Sequence, residues 1–91
     1  MGDVHIVHLR GEIDLAVSDE VLATLVALPG STVVADLSGA TFCDASALRA
    51  FVRARREVLQ RGHGFRIEGA RGIVRRVFTI TGLDDLLQDE H

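Results

Sequence analysis

Apolar and polar residues alternate from Val4 to Leu15, which predicts a strand with one covered face. Val7, Leu9, Ile13 and Leu15 share the parity that meets a core; Arg10, Glu12 and Asp14 share the parity that meets water. Val4 and Ile6 place apolar side chains on the polar parity. A strand end covered on both faces is the simpler reading, and an apolar patch for a partner is the alternative. The period then changes. Val21, Leu22, Leu25, Val26 and Leu28 form a helical stripe behind Ser18-Asp19-Glu20, where Ser18 suits an N-cap and the acids suit the positive end of the helix dipole. Pro29-Gly30 ends that helix. Thr32 to Leu37 returns to a strand, with Val33, Ala35 and Leu37 on one face and Val34 and Asp36 on the other.

A loop from Ser38 to Asp44 leads into a second helix, Ser46 to Arg61, whose expected buried stripe is Leu48, Phe51, Val52, Val58 and Leu59. Gly62 fits the left-handed position past its end. Gly64 to Gly69 predicts a third strand, with Phe65 and Ile67 inward and Arg66 and Glu68 outward. Arg71 to Thr81 predicts a third helix that buries Ile73, Val74, Val77 and Phe78 and stops at Gly82. Leu83, Leu86 and Leu87 begin a short last element, a helical turn or an edge strand, and the polar Gln88 to His91 reads as a frayed end. Strands joined through helices run parallel by right-handed crossovers. Strands that alternate, and are not apolar throughout, leave one sheet face more exposed. The pattern predicts an α/β fold in one domain over residues 1–91. Its sheet is small and largely parallel, of about four strands, with helices mainly on one face.

Composition narrows the function. A chain that is 47% hydrophobic and 25% charged is not a disordered one. No apolar run approaches the ~20 residues of a membrane span, and the first residues show no signal-peptide pattern. The single cysteine, Cys43, excludes an internal disulfide and points to a reducing, cytoplasmic setting. A net charge of -3, with no Trp and no Tyr, argues against direct nucleic-acid binding.

Several candidate chemistries have simpler explanations. Asp14, Asp36 and Asp44 resemble paired carboxylates, but turns and capping account for them. His5, His8, His63 and His91 lack ligand spacing, so no metal is expected. Cys43 with His63 lacks a third group, and Cys43 reads as a small packed hydrophobe. Gly62, Gly64, Gly69 and Gly72 match no phosphate-loop or dinucleotide pattern, so no cofactor and no catalysis are expected. Arg49, Arg53 and Arg56 recur on one helix face. They make either a solvated face, with Arg53 paired to Glu57, or a face complementary to an acidic partner.

Ser46 stands at a helix start after the carboxyl end of a strand, where ligand sites of α/β sheets lie. Capping alone explains a serine there. The same geometry also tolerates a phosphate, which would alter any surface packed against the neutral site.

Residue order adds to spacing. Asp36-Leu37, then Phe42, then Asp44-Ala45-Ser46-Ala47-Leu48 resembles the signature of the STAS-domain family, in particular the bacterial anti-sigma-factor antagonists. Gly11-Glu12-Ile13-Asp14, Gly62-His63-Gly64-Phe65 and Phe78 to Leu83 are similar to three further stations of that family, in order along nearly the whole chain. The resemblance implies a protein-binding switch. The unphosphorylated antagonist binds an anti-sigma factor that is also a serine kinase, a sigma factor is released, phosphorylation of Ser46 ends the binding, and a serine phosphatase restores it. It implies a docking surface over Ser38 to Ala47 and the helix start, with Asp14, Ser38, Thr41, Asp44, Ala45 and Ala47 as contacts; the arginine face adds Arg49 and Arg53. Ala45 replaces the first motif serine, which leaves Ser46 as sole acceptor of the pair, and Ala47 replaces the motif glycine with a methyl that would crowd a kinase loop. The alternative is an unphosphorylated scaffold or subunit module of a larger assembly, docking through Val4 and Ile6.

Overall fold

The computed structural model describes residues 3–28 and 32–87. The expectations for Pro29-Gly30 and for Gln88 to His91 lie outside the described residues. Three strands alternate with three helices: β1 (Val4–Ile13), α1 (Leu15–Ala27), β2 (Thr32–Cys43), α2 (Ala45–Gln60), β3 (Gly64–Glu68) and α3 (Gly72–Ile80). The sheet order is β1-β2-β3, and both pairings are parallel. A 3-10 turn, Asp84–Leu86, follows α3, and Leu87 then bridges Ile67 in parallel. The last element is thus both a helical turn and a start of edge pairing. The expected fourth strand amounts to that single bridge.

All three helices pack on one face of the sheet. Leu25, Phe51, Phe78, Val33, Leu37 and Ile67 are each at most 1% exposed, and the Phe51 and Phe78 rings stack 6.1 Å apart. The other face is open. Val4 and Ile6 lie on it, 53% and 54% exposed, so this strand end is not covered on both faces. Val34 is on the same face, flanked in register by Ile6 and Arg66, and is buried.

Four expectations are corrected. Leu15 is 75% exposed, because β1 ends at Ile13 and the period switches from strand to helix without a loop. Ser18 is not the N-cap of α1. Asp14 is, and Ser18 sits one turn inside, buried, with its hydroxyl toward the Leu15 carbonyl. The loop expected from Ser38 to Asp44 is strand as far as Cys43. It continues the pairing with β1 across two register irregularities, the second beside Gly11 at φ 75°. Leu59 and Ile73 are exposed, since the buried lines of α2 and α3 run through Phe51, Ala54 and Val58 and through Val74 and Phe78. Gly62 takes the left-handed conformation expected of it, and Gly82 takes the same conformation past the end of α3.

Candidate functional site

Parallel pairing brings the ends of β1 and β2 side by side. Ile13 pairs with Cys43, and the Asp44 N–H donates to the Ile13 carbonyl at 3.2 Å. Each strand then turns at an aspartate straight into a helix. The Asp14 carboxylate accepts the Ala16 N–H at 3.1 Å, and the Asp44 carboxylate accepts the Ala47 N–H at 3.0 Å. Two capped helix N-termini therefore open at the same end of the sheet, where both dipoles favour negative charge.

Ser46 occupies the second position of α2. Its hydroxyl donates to Asp44 Oδ1 at 2.6 Å, the same oxygen that takes the Ala47 N–H. These donors, the Ser46 hydroxyl first, hold the Asp44 carboxyl below the usual carboxylate range. Ser46 is partly exposed, not sealed in the core. It lines one end of a groove of about 630 Å³ between α1 and α2, whose walls include Leu15, Leu22, Leu48, Val52 and Leu83.

The structure sorts the expected contacts. Asp14, Asp44, Ala45 and Ser46 lie at the paired helix starts, and Ala45, Ser46, Arg49 and Arg53 line the groove. Arg53 donates to Glu57 at 3.2 Å, as its spacing suggests. Ala47 is a correction. At the third helical position its methyl turns inward and is fully buried in the core, so it offers nothing to a partner and crowds no visiting loop. Thr41 is exposed on β2. Ser38 belongs to another cluster: its N–H and hydroxyl both donate to Asp36, at 3.0 and 3.1 Å, and His8 Nδ1 lies 2.6 Å from the same carboxylate. The Ser38 N–H above all, with His8 contributing, holds the Asp36 carboxyl below its usual range.

Cys43 is fully buried, and desolvation with the nearby Asp44 charge pushes its thiol up to about 11, which is the opposite of nucleophile activation. Among the described residues no group of three or more His, Cys, Asp or Glu is placed to hold a metal ion. No described helix is long and apolar enough to cross a membrane. The α1 wall of the groove, Leu15 and Leu22, was not legible as part of a site. Both read as core positions, and only the packing of α1 on α2 brings them beside Ser46.

The profile of the family described as "Mlab, STAS domain" matches residues 2–88. The chain belongs to the STAS-domain family. This STAS domain is 30% identical to an anti-sigma factor antagonist from Mycobacterium paratuberculosis, with a TM-score of 0.79 over 92% of this chain and 74% of that one. It also superposes on unphosphorylated SpoIIAA, an anti-sigma factor antagonist of Bacillus, with a TM-score of 0.81 at 20% identity over 98% of this chain and 81% of that one. A sulfate transporter family protein from Wolinella succinogenes shares the fold at 17% identity, with a TM-score of 0.79 over 96% of this chain and 73% of that one. No curated protein sequence matches the STAS domain significantly.

Proposed function

We propose that this STAS domain is an anti-sigma-factor antagonist. Unphosphorylated, it binds an anti-sigma factor that is also a serine kinase and so releases a sigma factor; phosphorylation of Ser46 ends the binding, and a serine phosphatase restores it. The domain acts in the cytoplasm, supplies no catalytic group and needs no cofactor, since the kinase brings the nucleotide and Mg²⁺. One observation carries the reading. Ser46 lines the α1–α2 groove at the start of α2, its hydroxyl held by Asp44, in a family shared with the mycobacterial antagonist. Its proton lies toward Asp44, which leaves oxygen lone pairs for an incoming phosphorus. Asp44 is a positioning residue in this scheme. Asp14, Ala45, Arg49 and Arg53 surround the docking face, with Thr41 and Ser38 as outlying contacts on β2.

A phosphate adds about -1.5 to -2 charges beside the Asp44 carboxylate. Burying that charge unpaired against a partner costs several kcal/mol, and every 1.4 kcal/mol is about tenfold in affinity. Incubation with the cognate kinase and ATP, followed by mass mapping, should place one phosphate on Ser46. Ser46→Ala should take none and bind the kinase constitutively. Ser46→Asp should bind on the order of 100-fold more weakly; equal affinity of the two variants rules the switch out.

A second reading rests on Val4 and Ile6, exposed on the open sheet face, and on the likeness to the sulfate transporter family protein. In it the domain is a constitutive module of an assembly. Intact mass of protein isolated from cells separates the two, since a phosphorylated fraction counts against the constitutive module.

A further inference from the structure

Positive charge is segregated in this acidic molecule. Residues 45–61 hold five of the ten arginines and one of the thirteen acids, in a chain of net charge -3. Three of those arginines, Arg49, Arg53 and Arg56, line the groove, and Asp19 is the one carboxylate lining it. Arg53 is paired with Glu57, whereas neither Arg49 nor Arg56 has an ion-pair partner among the described residues. Arg53 and Arg56 continue into an adjoining recess lined also by Glu57, Gln60 and Arg61. The floor between is apolar: Leu22, Leu48, Val52 and Leu83, with Leu15 exposed at the mouth. From Ser46 to Arg56 this surface runs about 15 Å along α2, roughly three helical turns.

We propose that the α1–α2 groove receives an acidic amphipathic helix of the partner protein. Its apolar ridge seats on Leu15, Leu22, Val52 and Leu83, and its flanking carboxylates meet Arg49, Arg53 and Arg56. The proposal deepens the reading of the Ser46 surface as a docking face, and rests on it for the location of the partner. Two exposed guanidiniums without an ion-pair partner, set beside an apolar floor, are free to take carboxylates in bidentate contact. Nucleic acid fits less well. The floor offers no stacking ring: Trp and Tyr are absent, Phe51, Phe65 and Phe78 are buried, and Phe42 does not line the groove.

The test uses four fluorescent probes on the whole domain. Two are helical peptides with leucines at helical spacing, one flanked by glutamates and one by lysines; the third is a glutamate peptide without leucines, and the fourth a single-stranded DNA. The leucine–glutamate peptide should bind best by anisotropy and should shift the amide resonances of Leu22, Arg49, Val52 and Arg53. Joint Arg49→Glu, Arg53→Glu and Arg56→Glu should weaken it at least about tenfold. Val52→Ser should weaken it while leaving the leucine-free peptide unchanged, with amide dispersion confirming that each variant is folded. Equal binding of the lysine peptide, tighter binding of DNA, no binding of the leucine–glutamate peptide, or shifts away from the groove would overturn the proposal. No kinase or nucleotide is present, so failure here leaves Ser46 phosphorylation standing, and failure of phosphorylation leaves this result standing.

Discussion

One carboxylate oxygen ties the candidate switch to the helix that carries it. Asp44 Oδ1 accepts both the Ser46 hydroxyl and the Ala47 N–H. Its folded pKa is depressed, so the stabilisation is present above the unfolded value of about 4 and is lost as pH falls through the lower folded value. Asp36 follows the same sign for a different reason, the Ser38 N–H. Asp44→Asn keeps an acceptor but cannot titrate. Urea midpoints followed from neutrality into acid should therefore fall less steeply for Asp44→Asn than for the parent; parallel curves would show that the cap charge is irrelevant. A phosphate on Ser46, as proposed, would act on the same oxygen by another route: the esterified serine has no proton to donate and brings like charge beside it.

Among the elements, β2 links core and site. Its near half pairs with β1 and β3, and its far half reaches Cys43 beside β1 alone, delivering Asp44 to the helix start. Gly69, just past β3, closes on that strand: at φ +80° a Cβ there would stand 2.7 Å from Asp36 Oδ1 and 2.9 Å from the Ser38 nitrogen. Gly62 has the same φ with nothing within 4 Å. Both alanine substitutions carry left-handed strain of about 1–2 kcal/mol, and Gly69→Ala adds a backbone clash. Denaturant unfolding should find Gly69→Ala clearly the more destabilised; equal values would deny the close approach.

The order of strands and helices was legible because Val33, Ala35 and Leu37, then Phe51 and Val58, keep clean periods. The far half of β2 was not. Ser38, Gly39 and Ala40 have weak strand propensity, and only pairing with a strand some 28 residues away holds them extended. The start of α1 was missed because alternation runs on through Leu15 with no loop to mark the change. The placement of Asp44 and Ser46 at a helix start was legible from the change of period after β2. The inward turn of Ala47 and the α1 wall depend on helical phase and long-range packing, which local sequence does not record.

At the scale of the molecule, 91 residues imply a stability of about 5–14 kcal/mol. Phe51 is fully buried against Phe78, and Phe51→Ala should cost about 3–5 kcal/mol. In a domain this size that lowers the thermal midpoint by roughly 15–30 °C. Arg49→Ala, at an exposed position, should stay within about 0.5 kcal/mol of the parent. Calorimetry that found the two alike would mean the core is not where these contacts place it. Phe51 lies in the core and Arg49 on the exposed side of α2, so variants at these two positions probe stability and the proposed docking face separately.

The crowding of arginines on that helix has a practical corollary at the bench. A sequence pI near 5.7 says that the protein should wash straight through a sulfonate resin at neutral pH. A surface with one strongly positive side instead orients itself on the beads, is retained at low ionic strength and elutes early in a salt gradient. Reversing Arg49, Arg53 and Arg56 should return it to the flow-through, so a single column run reports how lopsided the molecule's field is.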